Sequence, residues 1–107
     1  MWKVRIAVPK TAVAGEVLTV KTLITHPMET GFRRDTSGQR IPRNILSLFE
    51  CTLDEQPLFR ATFHPAIAAN PYLSFRLVAE RSGTLTFRWE DQLGEETKAT
   101  HYLEVTR

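Results

Sequence analysis

The chain has 107 residues, 42% of them hydrophobic, enough for one continuous core without metals or disulfides and too few for several domains. Fourteen Lys and Arg against twelve Asp and Glu leave a formal charge of +2, and the basic residues are spread along the chain, which excludes the massed basic face of a nucleic-acid binder. No stretch approaches the roughly 18 consecutive apolar residues of a membrane span, and the start, where charges alternate with hydrophobics, lacks a secretory leader pattern; read alone it predicts cytoplasm.

Short segments of period-two alternation recur along the chain, and helical periodicity is nearly absent. Trp2, Val4, Ile6 and Val8 share one face against Lys3 and Arg5, and Pro9 ends that strand because it cannot donate to a ladder. After Gly15, residues 16–25 form a β-branched run in which Leu18, Val20 and Ile24 share a face; the out-of-phase Val17 and Leu23 suggest burial on both sides or a bulge. Phe49, Cys51 and Leu53 alternate with polar residues, and Glu55-Gln56-Pro57 turns the chain into Phe59, Ala61 and Phe63. Leu73, Phe75, Leu77 and Ala79 form the next inner set. Ser82-Gly83 leads into Leu85, Phe87 and Trp89, and Gly94 precedes a last strand over 97–105 with Ala99, His101, Leu103 and Val105 inward. About seven strands at near-regular spacing predict an all-β, immunoglobulin-like or fibronectin-like Greek-key β-sandwich occupying residues 1–107 as a single domain.

The one long irregular segment runs from Pro27 to Asn44, a length that inside a small domain points to function or mobility. If consecutive strands alternate direction, three loops meet at one end: the loop beginning His26-Pro27-Met28, the loop from His64 to Pro71, and the turn Asp91 to Glu95. Met28, Phe32, Arg33 and Arg34 combine adaptable apolar anchors with bidentate donors, the composition of an interface, or else Phe32 tucks into its own domain. Tyr72, out of phase with the inner set, projects for a partner or ties down a corner. These five are the candidate partner-binding residues.

Nothing in the residues composes an active site. Cys51 lies in phase with Phe49 and Leu53, which makes it a buried, inert thiol, and no phosphate loop, nucleophile elbow or spaced Cys/His set is present. His26 and His64 could meet at the loop-rich end, but His101 lies about 20 Å away at a strand rise of roughly 3.3 Å per residue. No catalytic residue, cofactor or metal is therefore assigned, and a metal or small-ligand site on His26 and His64 stays as an alternative.

Lys21-Thr-Leu-Ile-Thr-His-Pro-Met-Glu-Thr-Gly31, Ile41-Pro42, Ala69-Asn-Pro-Tyr-Leu-Ser-Phe75 and Ser82-Gly-Thr-Leu-Thr-Phe-Arg-Trp-Glu-Asp91 together resemble the SoxZ family over nearly the whole chain. The resemblance implies a non-catalytic subunit that heterodimerises with SoxY, the protein that carries sulfur intermediates on a cysteine in a glycine-rich carboxy-terminal arm and presents them to the enzymes of thiosulfate oxidation. It also implies periplasmic residence, by export together with a signal-bearing partner. Transient contacts with other Sox enzymes would follow, and no nucleic acid or membrane. The other alternative is a self-associating structural adapter, and some homodimer is expected when the chain is isolated, because an uncovered apolar patch or strand edge can pair with itself.

Overall fold

A computed structural model of the chain describes residues 2–63 and 69–107. The alternating segments form β1 (Val4–Ala7), β2 (Thr11–Val13), β3 (Val17–Ile24), β4 (Leu46–Leu53), β5 (Gln56–Thr62), β6 (Tyr72–Val78), β7 (Gly83–Asp91) and β8 (Glu96–Thr106). They build a three-stranded sheet in the order β1-β3-β6 and a five-stranded sheet in the order β2-β8-β7-β4-β5. This is the immunoglobulin-like sandwich expected from the alternation, with eight strands in place of about seven. The extra strand, β2, follows the break at Pro9 and crosses to the other sheet, where it pairs with β8 in parallel from Thr11↔Glu104 to Val13↔Thr106. Three residues are too few for an alternation to register, and only Ala12 of β2 is buried.

The inner faces interdigitate around an aromatic cluster in which the Phe49 ring lies 5.1 Å from Trp89 and 5.7 Å from Phe75, and Phe59 stacks on Phe75 at 4.3 Å. Leu18, Val20 and Ile24 point into this core as the alternation requires. Two expectations for β3 are corrected: the strand pairs without a bulge, and Val17 is exposed, because the sandwich covers only one of its faces. The irregularities fall in β4 instead, between Leu46 and Leu48 and between Cys51 and Thr52. The turn between β4 and β5 is also tighter than expected. It consists of Asp54 and Glu55, both at positive φ, and Asp54 accepts the Thr84 N–H at 2.9 Å and an Arg81 N–H at 2.8 Å. A Cβ on Gly83 would land on that carboxylate, which is why glycine stands there.

Residues 27–44 hold no regular strand or helix, as expected, but they fold back on themselves. Glu29 and Asn44 exchange two backbone hydrogen bonds of 2.8 Å, the Ile41 N–H reaches Arg33 O at 2.9 Å, and Arg34 pairs with Arg40. The segment is a two-armed hairpin whose tip is closed by Asp35, its carboxylate accepting from the Ser37 N–H, the Ser37 hydroxyl and the Gln39 N–H.

Candidate functional site

The described residues of the three loops converge, and they are locked together by buried polar groups; residues 64–68 lie outside the described residues. His26, at the end of β3, is fully buried; its backbone N–H donates to Asn70 Oδ1 at 3.0 Å, and the Asn70 N–H returns to His26 O at 2.7 Å. The His26 Nδ1 accepts the Met28 N–H at 2.9 Å, which fixes the ring proton on Nε2, and Nε2 faces Asp91 Oδ2 at 3.5 Å. Asp91, at the end of β7, also receives the indole N–H of Trp2 at 3.2 Å and the Asn44 amide at 3.3 Å on Oδ2, and the Leu93 and Glu95 N–H groups at 3.0 Å each on Oδ1. Burial alone would push this carboxyl up. The donors of Glu95, Asn44, Trp2 and Leu93 outweigh it and hold Asp91 below the usual carboxylate range. Burial dominates at His26, lowering its pKa against the opposing pull of Asp91 and Glu95 and keeping the ring neutral. Sequence reasoning missed Trp2 and Asn44 in this cluster; the available signal was that a buried indole N–H needs an acceptor.

The five candidate residues do not form one surface. Met28 is a correction: it is 4% exposed, stands at a φ of 50°, and its sulfur accepts the Leu46 N–H at 3.3 Å. It is a core side chain of its own domain, drawn in because His26 captures its backbone. Phe32 is 82% exposed on the hairpin. Arg33 is ion-paired with Glu29, and Arg34 donates to Gly38 O at 2.9 Å near the tip. Tyr72 lies on a separate surface, 59% exposed on β6 opposite Leu23.

That second surface is the outer face of the three-stranded sheet, where the cross-strand pairs Val17↔Val78 and Leu23↔Tyr72 present apolar groups beside Arg5 and Lys21. The opposite face, on the five-stranded sheet, carries an ion-pair ladder. There Arg88 reaches Glu90 at 2.9 Å, Glu96 at 3.1 Å and Glu50 at 3.8 Å, and Lys98 reaches Glu96 at 3.3 Å. Such a ladder is well solvated, and beyond it on the same face of β8 Tyr102 is 61% exposed.

Among the described residues no catalytic groups assemble. Cys51 is fully buried, and burial pushes its thiol up to about 12. Among the described residues no three His, Cys, Asp or Glu side chains come together to hold a metal. His64 lies outside the described residues, and His26 has its Nδ1 lone pair occupied, so ligation there would break the bond to Met28. His101 sits within β8, paired with Leu85, on a different stretch of sheet from His26.

A family model described as sulphur oxidation protein SoxZ matches residues 4–101. Among curated proteins none matches the sequence. Several solved structures share the fold. A superoxide reductase (neelaredoxin) from Ignicoccus hospitalis is similar at a TM-score of 0.71 and 20% identity, over 95% of this chain and 79% of that one. The sulfur carrier protein SoxY from Chlorobium limicola f thiosulfatophilum is similar at a TM-score of 0.68 and 14% identity, over 97% and 79%. A PKD domain of an M14-like peptidase from a Thermoplasmatales archaeon is similar at 0.56 and 12%, over 97% and 93%. At these identities the likeness is one of fold.

Proposed function

Because the chain belongs to the SoxZ family, we propose that it is the non-catalytic half of a sulfur-carrier complex, pairing with a SoxY-like subunit and helping to present that subunit's cysteine-bound intermediates to the enzymes of thiosulfate oxidation. The family match over residues 4–101 carries this reading. The state of Cys51 supports it: a carrier thiol must reach several active sites as a thiolate, and this one is enclosed in the core and held protonated.

On this reading the SoxY-like subunit covers the outer face of the three-stranded sheet, where Val17, Leu23, Tyr72 and Val78 would be buried. Phe32, Arg33 and Arg34 on the hairpin serve contacts at the loop-rich end. The pair works in the periplasm, an inference carried by the family resemblance.

The test is affinity capture with this chain as bait in extract of its source organism grown on thiosulfate, followed by intact-mass analysis. A retained small protein with a cysteine near a glycine-rich carboxy terminus, bearing sulfur adducts there while Cys51 stays unmodified, is the expected result. Adducts on Cys51, or no such partner, would refute the reading.

A further inference from the structure

We propose that the hairpin of residues 29–44 is a docking finger for an acidic protein surface carrying an apolar side chain, on a transient partner distinct from the permanent carrier subunit. The inference rests on the scaffold reading above and adds to it the chemistry of the visiting partner.

Charge is the first observation. The hairpin holds four arginines against two carboxylates, a surplus equal to the formal +2 of the entire chain. Both carboxylates are engaged within the hairpin, Glu29 by Arg33 and Asp35 by Ser37 and Gln39. Arg34 has only the neutral Gly38 carbonyl as acceptor, and Arg40 and Arg43 have no ion-pair partner among the described residues. Three guanidinium charges are thus left for a ligand.

Register is the second. Arg34 and Arg40 stand directly opposite one another across the hairpin, an arrangement in which like charges repel. An anionic group set between them would turn that repulsion into bidentate attraction, the geometry for which a guanidinium fork is suited. Phe32 stands two residues before Arg34 on the same arm, and it is the most exposed large hydrophobic among the described residues. An aromatic anchor flanked by arginines is the composition of an interface hot spot.

Order is the third. The hairpin is held by its own backbone bonds, and a Cβ on Gly31, at a φ of 88°, would come within 3.0 Å of the Arg43 Cβ, so the arms are closely apposed. A preformed finger loses little entropy on docking. Three arginines with one phenylalanine are too few for the polybasic clusters of about 4–8 residues that hold anionic membranes, and no row of stacking aromatics is present for single-stranded nucleic acid. A small, charged, single-anchor contact suits fast, salt-sensitive encounters with a protein.

The experiment uses the full chain co-expressed with its SoxY-like subunit and, as probe, a short fluorescein-labelled peptide of Glu-Glu-Leu repeats read by anisotropy. The wild type should bind it, about tenfold more tightly than the double variant Arg34→Glu with Arg40→Glu and severalfold more tightly than Phe32→Ala, with a shallower salt dependence in the double variant. Circular dichroism and unfolding midpoints verify folding, and Arg34→Gln with Arg40→Gln repeats the test without charge reversal. Equal affinity in all variants, equal binding of a Gln-Gln-Leu peptide, or preference for phosphatidylglycerol vesicles or single-stranded RNA would overturn the proposal. Gel filtration separates the two readings: variants that still pair with the carrier subunit support it, and variants that lose the pairing overturn it while the scaffold reading stands. A wild type that forms no pair sinks the scaffold reading and this inference with it.

Discussion

His26 and Asp91 stand with Nε2 3.5 Å from Oδ2, both buried, and between them they tie the ends of β3 and β7 to the loop before β6 and to the amino-terminal Trp2. The contact is longer than a good hydrogen bond, and Nε2 has no other partner among the described residues. The rigidity of the loop-rich end therefore depends on the four other donors that Asp91 collects.

Replacing Asp91 by Ala leaves the Trp2 indole, the Asn44 amide and the Leu93 and Glu95 N–H groups without their acceptor. The expected loss is about 2–4 kcal/mol, and Asp91→Asn, which keeps one carbonyl acceptor, should lose less. Urea unfolding followed by tryptophan fluorescence measures both.

Stability should fall on acidification below neutrality. His26 has its pKa lowered by burial from the ordinary 6.5, so the unfolded chain binds the proton more readily; stability is full above pH 6.5 and is lost as pH falls toward the folded-state value. Protonating Nδ1 would also expel the Met28 N–H. Asp91, likewise lowered, adds a loss of the same sign below its ordinary 3.8. Urea midpoints measured from pH 7.5 to 5 should decline in the wild type and stay flatter in His26→Gln.

Met28 and Tyr72 should separate stability from binding. Met28→Ala removes a buried side chain and is expected to cost about 2–4 kcal/mol, whereas Tyr72→Ala should change stability by less than about 0.5 kcal/mol. On the scaffold reading Tyr72→Ala weakens capture of the carrier subunit, a shift that calorimetry of the mixed subunits detects.

Cys51 should react with iodoacetamide in native buffer only as fast as the chain opens, because the thiol is buried and pushed up to about 12. Adding urea past the midpoint should release full reactivity. Fast labelling of the folded chain would mean the thiol is exposed and would remove the main physical support for a non-carrier role.

The residues themselves determined the sandwich. Alternation along β3, β6, β7 and β8 is a local property, and Leu18, Val20, Phe75, Phe87, Trp89 and Leu103 were assignable to the core from it. The burial of Cys51 followed from the same phase, and the meeting of the loops at one end followed from strands that alternate direction. What only the tertiary structure decided lies where no period operates. A three-residue strand has no measurable phase, so β2 was invisible until β8 lay beside it. Met28, in a loop, looked like a surface anchor because loop residues carry no inside and outside until a neighbour such as His26 captures their backbone. The hairpin of residues 29–44 depends on contacts between two arms whose hydrophobic pattern is weak. The cluster of Trp2, His26, Asn44 and Asp91 joins positions up to 89 residues apart, and which polar groups satisfy one another at that separation is set by the packing of the sheets.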